Sequence, residues 1–183
     1  MKETPLLMCG PMVIATIEGR KTQTRRVIKP QPEPLSSYFS FDSDRWLSDR
    51  GQDFYCPYGV PGDRLWVKET FLYRAQRTAY IYKADLEPAE AAGVGAMYGG
   101  WKPSIFMPRE ASRITLELTD VRVERVQEIS YADCVAEGVE DDGFANDRYE
   151  FLWNSLNAKR DGDIYAWAKN PWVWVLTFRK LSR

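Results

Sequence analysis

The sequence predicts an α+β fold in which a small β-barrel or strongly bent sheet is flanked by a few short helices. Segments with strand-like alternation outnumber helical segments, the helical segments are short, and most strands are joined by loops. The chain has 183 residues, of which 44% are hydrophobic, and this suits one domain with a sizeable core. We therefore expect residues 1–183 to form a single domain.

The N-terminal part predicts a strand over residues 5–9 followed by a helix. Pro11 suits the first turn of that helix, and Gly19 is typical of a helix end. The basic segment GRKTQTRR, residues 19–26, then leads into the start of a second strand.

Two long segments interrupt the predicted strands. Residues 30–61 are rich in Pro, Ser, Asp and Gly, which predicts a long loop held in place by its aromatic side chains. Pro61 and Gly62 fit a type II turn that begins the strand RLWVKETF. Residues 72–107 form the second insertion, with a short strand and a turn of helix near Pro88.

The C-terminal part predicts paired strands, two short helices and a final strand. The segment SRITLELTDVRVERV alternates, and its phase changes at Thr119 and Asp120, which indicates a β-bulge or tight turn between two strands. Ser130 and Asp147 each fit the start of a helix, and Gly138 fits the end of the first. The closing segment NPWVWVLTFRKL predicts a strand central to the sheet.

Charge is distributed unevenly, although the formal net charge is only −1. No field of the whole molecule attracts nucleic acid or an anionic membrane, so any such attraction must be local. Residues 17–30 hold five cations and one anion, a net charge of +4. Residues 128–150 hold eight carboxylates and one arginine, a net charge of −7. The two segments could attract each other in the fold.

Missing residue types exclude several chemistries. The chain has no histidine, which excludes Ser-His-Asp and Cys-His mechanisms and leaves Lys, Glu, Asp, Tyr or Cys for acid–base catalysis. Cys9, Cys56 and Cys134 fit neither a disulfide framework nor zinc knuckles, so we expect reduced, mostly buried thiols and no metal or other cofactor. Because no segment has the length of a membrane helix or the pattern of a signal peptide, we expect a cytoplasmic protein without a membrane partner.

Lys21 and Thr24 are the strongest candidates for chemistry. If the turn after the first helix is helix-like, their spacing of three places both side chains on one side. A lysine that loses solvent or gains cationic neighbours has a lowered pKa and can take a proton from a hydroxyl. Arg20, Arg25 and Arg26 are such neighbours. A solvated basic turn or an anion-binding patch would give the same pattern.

Three further residues are candidates, each with a structural alternative. Glu137 lies in the last turn of a predicted helix, where the helix dipole disfavours a carboxylate, so it marks either a site or a solvated surface. Glu69 lies among apolar strand residues and either belongs to a site or pairs with Arg25 or Arg26. Trp46 either stacks on a base or joins the core.

Five segments together resemble the ASCH-domain family, in the longer form common in phage and prophage genomes. They are GRKTQTRRVIKPQP, PYGVPGDRLWVKETF, ASRITLELTDVRVERVQEIS, AEGV and NPWVWVLTFRK. The resemblance spans residues 5–180, with residues 30–61 and 72–107 as insertions. It implies a PUA-like fold, a β-barrel with helices at its rim and a cleft suited to nucleosides or RNA.

The resemblance also implies an activity. Small bacterial members of the family are amidohydrolases that deacylate N4-acetylcytidine with a Lys, a Thr and a Glu and without a metal. By resemblance, Lys21 would accept a proton, Thr24 would be the nucleophile and Glu137 would be the proton donor. We expect the following side chains to bind the substrate: Arg20, Arg25, Arg26, Glu69 and Trp46.

Other members of the family are reported as ribonucleases or RNA binders, so the shared fold leaves a second hypothesis open. The protein would then be an RNA-binding or modified-nucleotide-binding module, or a ribonuclease, that uses the basic patch from Arg20 to Arg26.

Overall fold

The structure is a computed structural model that describes residues 1–32, 39–42, 45–48, 53–74 and 79–182. The strands in this part of the chain are β1 (Glu3–Leu7), β2 (Gln23–Val27), β3 (Phe39–Asp42), β4 (Arg45–Ser48), β5 (Asp53–Phe54), β6 (Arg64–Lys68), β7 (Phe71–Arg74), β8 (Ala79–Tyr82), β9 (Thr115–Arg125) and β10 (Trp172–Lys180). The α-helices are α1 (Gly10–Ile17), α2 (Pro88–Met97), α3 (Tyr131–Ala136) and α4 (Ala145–Asn157).

A five-stranded sheet with the order β1-β6-β9-β10-β2 forms the centre of the molecule. The β1–β6 pair is parallel and the other three pairs are antiparallel. The edge strands β1 and β2 are in contact with each other through one side chain. Arg26 Nη2 of β2 donates a hydrogen bond of 2.8 Å to the Leu7 carbonyl of β1. The predicted α+β class is confirmed, and the described strands do not close into the predicted barrel.

The final strand β10 lies inside this sheet, between β9 and β2, as predicted. One face of β10 contributes Trp174 and Leu176 to the main hydrophobic core. The opposite face contributes Val173 and Val175 to a second core cluster beneath α3 and α4. The buried segment is apolar on both faces for this reason.

The predicted β-bulge is confirmed in β9. This strand continues through Thr119, and its register against β10 shifts between Thr177 and Phe178. The alternative of a tight turn between two strands is therefore wrong.

Helix caps are predicted with mixed success. Ser130 Oγ accepts a hydrogen bond of 3.1 Å from the Asp133 amide at the start of α3, as expected. The start of α4 differs, because Phe144 occupies the cap position and Asp147 lies within the first turn. There the carboxylate still interacts favourably with the helix dipole.

Both insertions contain regular structure. The first is more than a loop, because β3, β4 and β5 form a three-stranded sheet. The Trp46 ring of β4 packs edge-on against Trp174, with ring centroids 6.1 Å apart, and local composition does not reveal such a contact. The second insertion contains the hairpin β7–β8 and helix α2, near the predicted strand and helix.

Candidate active site

A cavity of about 800 Å³ lies between α1, β1, β2 and α4. Its volume is within the range of small-molecule sites, about 300–1,000 Å³. Lys21, Thr24 and Glu137, the three residues for which the sequence suggests catalysis, all line this cavity.

The segment that carries Lys21 is clamped between two helices. The Lys21 amide donates to the Ala15 carbonyl of α1 at 3.0 Å, and the Thr22 amide donates to the Ala136 carbonyl of α3 at 2.8 Å. The condition of a helix-like turn is not met, since β2 begins at Gln23. These clamps, and not a helical spacing, bring Lys21 to the same cavity as Thr24.

Gly138 allows the end of α3 to approach Lys21 closely. Its φ of +92° is unfavourable for other residues, and a Cβ atom there would lie 3.0 Å from the Cβ atoms of Ala15 and Lys21. Glu137, directly before it, is consequently held against the lysine.

Lys21 and Glu137 form a buried ion pair. Their side chains are only 2% and 5% exposed, and Lys21 Nζ donates to Glu137 Oε2 at 2.7 Å. Lys21 Nζ also donates to the backbone carbonyls of Glu137 at 2.6 Å and Gln23 at 2.7 Å, so all three ammonium protons have acceptors. Burial lowers the pKa of Lys21, although the negative charge of Glu137 opposes this effect.

The second oxygen of Glu137 has two weaker partners. Arg25 Nη1 and the Tyr149 hydroxyl each donate to Glu137 Oε1 at 3.4 Å. Burial, together with the nearby carboxylate, raises the pKa of Tyr149 well above its usual value, so its hydroxyl stays protonated and donates. Glu137 is thus fixed from both sides.

Arg25 is a structural partner of this site. Its side chain is fully buried, with ion pairs to Glu124 at 2.5 Å, to Asp133 at 3.3 Å and to Glu137. The attraction between the basic and acidic segments that the sequence suggests is therefore present. Because carboxylates already compensate its charge, Arg25 is poorly placed to attract an anionic ligand.

Thr24 is buried on β2 and faces the cavity. Within the described part of the chain, its hydroxyl makes no hydrogen bond. The hydroxyl is consequently available to a ligand.

The other expected substrate-binding residues differ in position. Arg26 lines the cavity. Arg20 is exposed, pairs with Glu18 and lies outside the described lining. Trp46 also lies outside this lining and packs in the core, which favours its structural alternative.

Glu69 has a partner that the sequence did not indicate. Arg113 donates to both of its carboxylate oxygens, at 2.8 Å and 2.9 Å, so the expected pairing with Arg25 or Arg26 is wrong. Glu69 does not line the cavity as described.

The cysteines are free, but their burial differs from the expectation. Cys134 is buried, Cys56 is partly buried and Cys9 is exposed at the start of α1, where it lines the cavity. The expectation of mostly buried thiols is wrong for Cys9.

No group of three His, Cys, Asp or Glu side chains is arranged to hold a metal ion in the part of the chain that the structure describes. Every helix found there is too short or too polar to span a bilayer.

The chain is similar to a solved structure but matches no protein family by sequence. No family model and no curated protein matches the sequence. Among solved structures, the chain is similar to the crystal structure of protein EF3133 from Enterococcus faecalis V583, which is described as a member of the family DUF984. The match covers 99% of this chain and 80% of that chain, with a TM-score of 0.48 and 8% sequence identity.

Proposed function

We propose that the protein is an amidohydrolase that removes the acyl group from an N-acylated pyrimidine nucleoside such as N4-acetylcytidine. The observation that carries this proposal is the buried Lys21–Glu137 pair, which lines one cavity together with Thr24. The resemblance to the ASCH-domain family, with the PUA-like fold that it implies, supplies the substrate class.

The pair can hold one proton in two places. Lysine as ammonium with glutamate as carboxylate has the same net charge as neutral lysine with glutamic acid, and the two forms differ by one proton moved across the 2.7 Å hydrogen bond. Burial lowers the pKa of Lys21 and so favours release of its proton more than water would. In the neutral form Lys21 is a base and Glu137 is an acid.

Acylation uses both groups at once. The Thr24 oxygen forms a bond with the acyl carbon and passes its proton to Lys21. The bond from the acyl carbon to the exocyclic nitrogen breaks, and the nitrogen takes the proton of Glu137. The products are the free nucleoside and acyl-Thr24, and one proton transfer from Lys21 to Glu137 restores the pair.

Water then hydrolyses the ester of Thr24. Lys21 accepts a proton from the attacking water and returns one to the departing Thr24 oxygen, so the enzyme regains its starting state. Arg26 lines the same cavity and, with nearby backbone amides, stabilises the negative oxygen of each tetrahedral intermediate.

The test is to incubate the protein with N4-acetylcytidine and to follow the release of cytidine. Lys21→Ala and Thr24→Ala should each lower the rate by at least about 10²-fold, the usual contribution of a catalytic acid, base or nucleophile. Thr22→Ala is a matched control, because Thr22 is exposed and lies outside the described cavity lining. Circular dichroism of each variant checks folding, and activity that survives both site variants would exclude the mechanism.

Binding without chemistry is the second candidate, and the charge of the cavity favours it. The lining carries five cations (Lys21, Arg25, Arg26, Lys29, Arg160); described carboxylates pair with Lys21, Arg25 and Lys29, and Arg26 and Arg160 form no ion pair within the described residues. A binding module would retain cytidine derivatives without turnover. A ribonuclease would instead leave shortened RNA in the same assay.

A further inference from the structure

The cavity extends far beyond the Lys21–Glu137 pair. Along β2 and the residues that follow it, the lining runs from Thr24 to Lys29. Along α4 it runs from Tyr149 to Asn157, nine residues that span about 12 Å of helix. The end near Lys29 and Asn157, here called the far end, therefore lies about two turns of α4 from Tyr149, the residue that donates a hydrogen bond to Glu137.

The far end holds an arginine in place. Asn157 is buried, and its Nδ2 donates to the Trp153 carbonyl at 3.1 Å. Its Oδ1 accepts a hydrogen bond of 3.1 Å from Arg160 Nη1, and the Arg160 amide donates to the Asn157 carbonyl at 3.0 Å. These bonds position the guanidinium of Arg160 at the wall of the cavity.

A lysine lies close to this arginine. Lys29 Nζ pairs with Asp161 at 2.8 Å and lies 4.9 Å from the centre of the Tyr165 ring. Asp161 follows Arg160 directly in the chain, so the same turn places Arg160 and the partner of Lys29 together.

The far end has an excess of positive charge. Within the described residues, neither Arg26 nor Arg160 has a carboxylate partner. Glu137 is the one carboxylate in the described lining, and Lys21 and Arg25 already compensate it. At the far end itself, Asp161 pairs with Lys29, whereas Arg160 forms no ion pair with a described carboxylate, so two cations face one acid there and an anionic group would meet a net positive charge.

We propose that Arg160 and Lys29 bind a phosphate group, so that the ligand of this cavity is a phosphorylated nucleoside. Arginine binds phosphate through paired hydrogen bonds, and lysine adds a point charge. The identity of the base rests on the proposed function. The phosphate comes either from a mononucleotide or from the backbone of an RNA, since both present the same chemistry to the two cations.

The test compares the affinity of the full chain for cytidine and for cytidine 5′-monophosphate, measured by isothermal titration calorimetry at low salt. The monophosphate should bind at least about tenfold more tightly, as expected for hydrogen bonds between charged groups. Arg160→Ala and Lys29→Ala should each remove most of this advantage and leave the affinity for cytidine within twofold, about the error of such a comparison.

Lys159→Ala is the matched control, because Lys159 is the exposed neighbour of Arg160 and lies outside the described lining. It should leave the affinity for the monophosphate unchanged. Equal affinities for cytidine and its monophosphate, an equal loss in the Lys159 variant, or no binding of either compound would overturn the phosphate site.

Two further measurements distinguish an RNA backbone from a mononucleotide, and the phosphate site from the proposed hydrolase activity. A pentacytidylate that binds more tightly than the monophosphate, with the same dependence on Arg160, identifies an RNA backbone, whereas equal or weaker binding identifies a mononucleotide. Phosphate-dependent binding without cytidine release supports the phosphate site and contradicts the hydrolase. Hydrolysis with equal kcat/KM for N4-acetylcytidine and its 5′-monophosphate supports the hydrolase and contradicts the phosphate site.

Discussion

Glu137 and Glu69 are both buried carboxylates, 4% and 1% exposed, and the sequence raises both as candidates for a site. Glu137 lines the cavity beside Thr24 and pairs with Lys21. Glu69 lies outside the described lining and pairs with Arg113. Equal burial therefore does not distinguish a candidate catalytic acid from a structural one.

The two carboxylates differ in their partner, which is a lysine for Glu137 and an arginine for Glu69. A lysine can release its proton when burial lowers its pKa, whereas an arginine keeps its charge in proteins. In the proposed mechanism Lys21 and Glu137 consequently exchange a proton, whereas Arg113 keeps its charge beside Glu69. Burial raises the pKa of Glu69, and the paired hydrogen bonds from Arg113 oppose that rise.

Arg113 connects the second insertion to the central sheet. Besides Glu69 it binds both carboxylate oxygens of Asp85 at 2.7 Å, and its guanidinium lies 4.0 Å from the centre of the Tyr82 ring. Glu69 directly follows β6, while Asp85 and Tyr82 belong to the insertion. This pair stabilises the fold.

The largest effect on stability is expected from Arg113→Met. The substitution leaves Glu69 buried without its partner, and breaking a buried pair in this way costs about 3–5 kcal/mol. Urea unfolding at neutral pH measures the loss. Arg109→Met is the control, because Arg109 pairs with Glu3 at the surface and should change stability little. Equal losses in the two variants would show that the Glu69–Arg113 pair has no special structural role.

The second largest effect is expected in the dependence of activity on pH, which should reflect the Lys21–Glu137 pair and not the Glu69–Arg113 pair. Because burial lowers the pKa of Lys21, the Lys21–Glu137 pair should lose its last proton below about pH 10.4, the usual pKa of lysine. Below that transition the pair holds the proton that the leaving nitrogen needs, and above it the pair holds none. Accordingly, kcat/KM should fall about tenfold per pH unit on the alkaline side.

The Arg113→Met variant should keep the same alkaline transition wherever it remains folded, because Arg113 is not part of the cavity lining that the structure describes. An activity that stays constant through pH 10.4 in the wild-type protein would contradict a proton shared by Lys21 and Glu137.

The sequence indicated the acid–base residues of the candidate site better than their surroundings. The absence of histidine, the opposite charges of two segments and the ASCH resemblance all directed attention to Lys21, Thr24 and Glu137. The residues missed, such as Tyr149, Asn157 and Arg160, belong to α4 or follow it directly. The buried positions of α4 form an ordinary amphipathic pattern, which predicts core packing and nothing further.

The partner of Glu69 could not be read from the sequence, because sheet pairing determines it. Arg113 is 44 residues away in the chain and comes close because β6 pairs with β9. The three strands of the first insertion were missed for a related reason. Trp46 packs against Trp174, more than a hundred residues later, and residues 30–61 alone have the composition of a loop.

The most direct measurement compares the initial rates of cytidine release by Glu137→Gln and Glu69→Gln, with N4-acetylcytidine as substrate and equal amounts of folded protein. Glutamine keeps the shape of each side chain but cannot supply the proton. The Glu137 variant should be slower than the wild type by at least about 10²-fold, whereas the Glu69 variant should lose stability and keep its rate within a few fold. Equal rates in the two variants, or a slower Glu69 variant, would contradict the assignment of Glu137 as the catalytic acid.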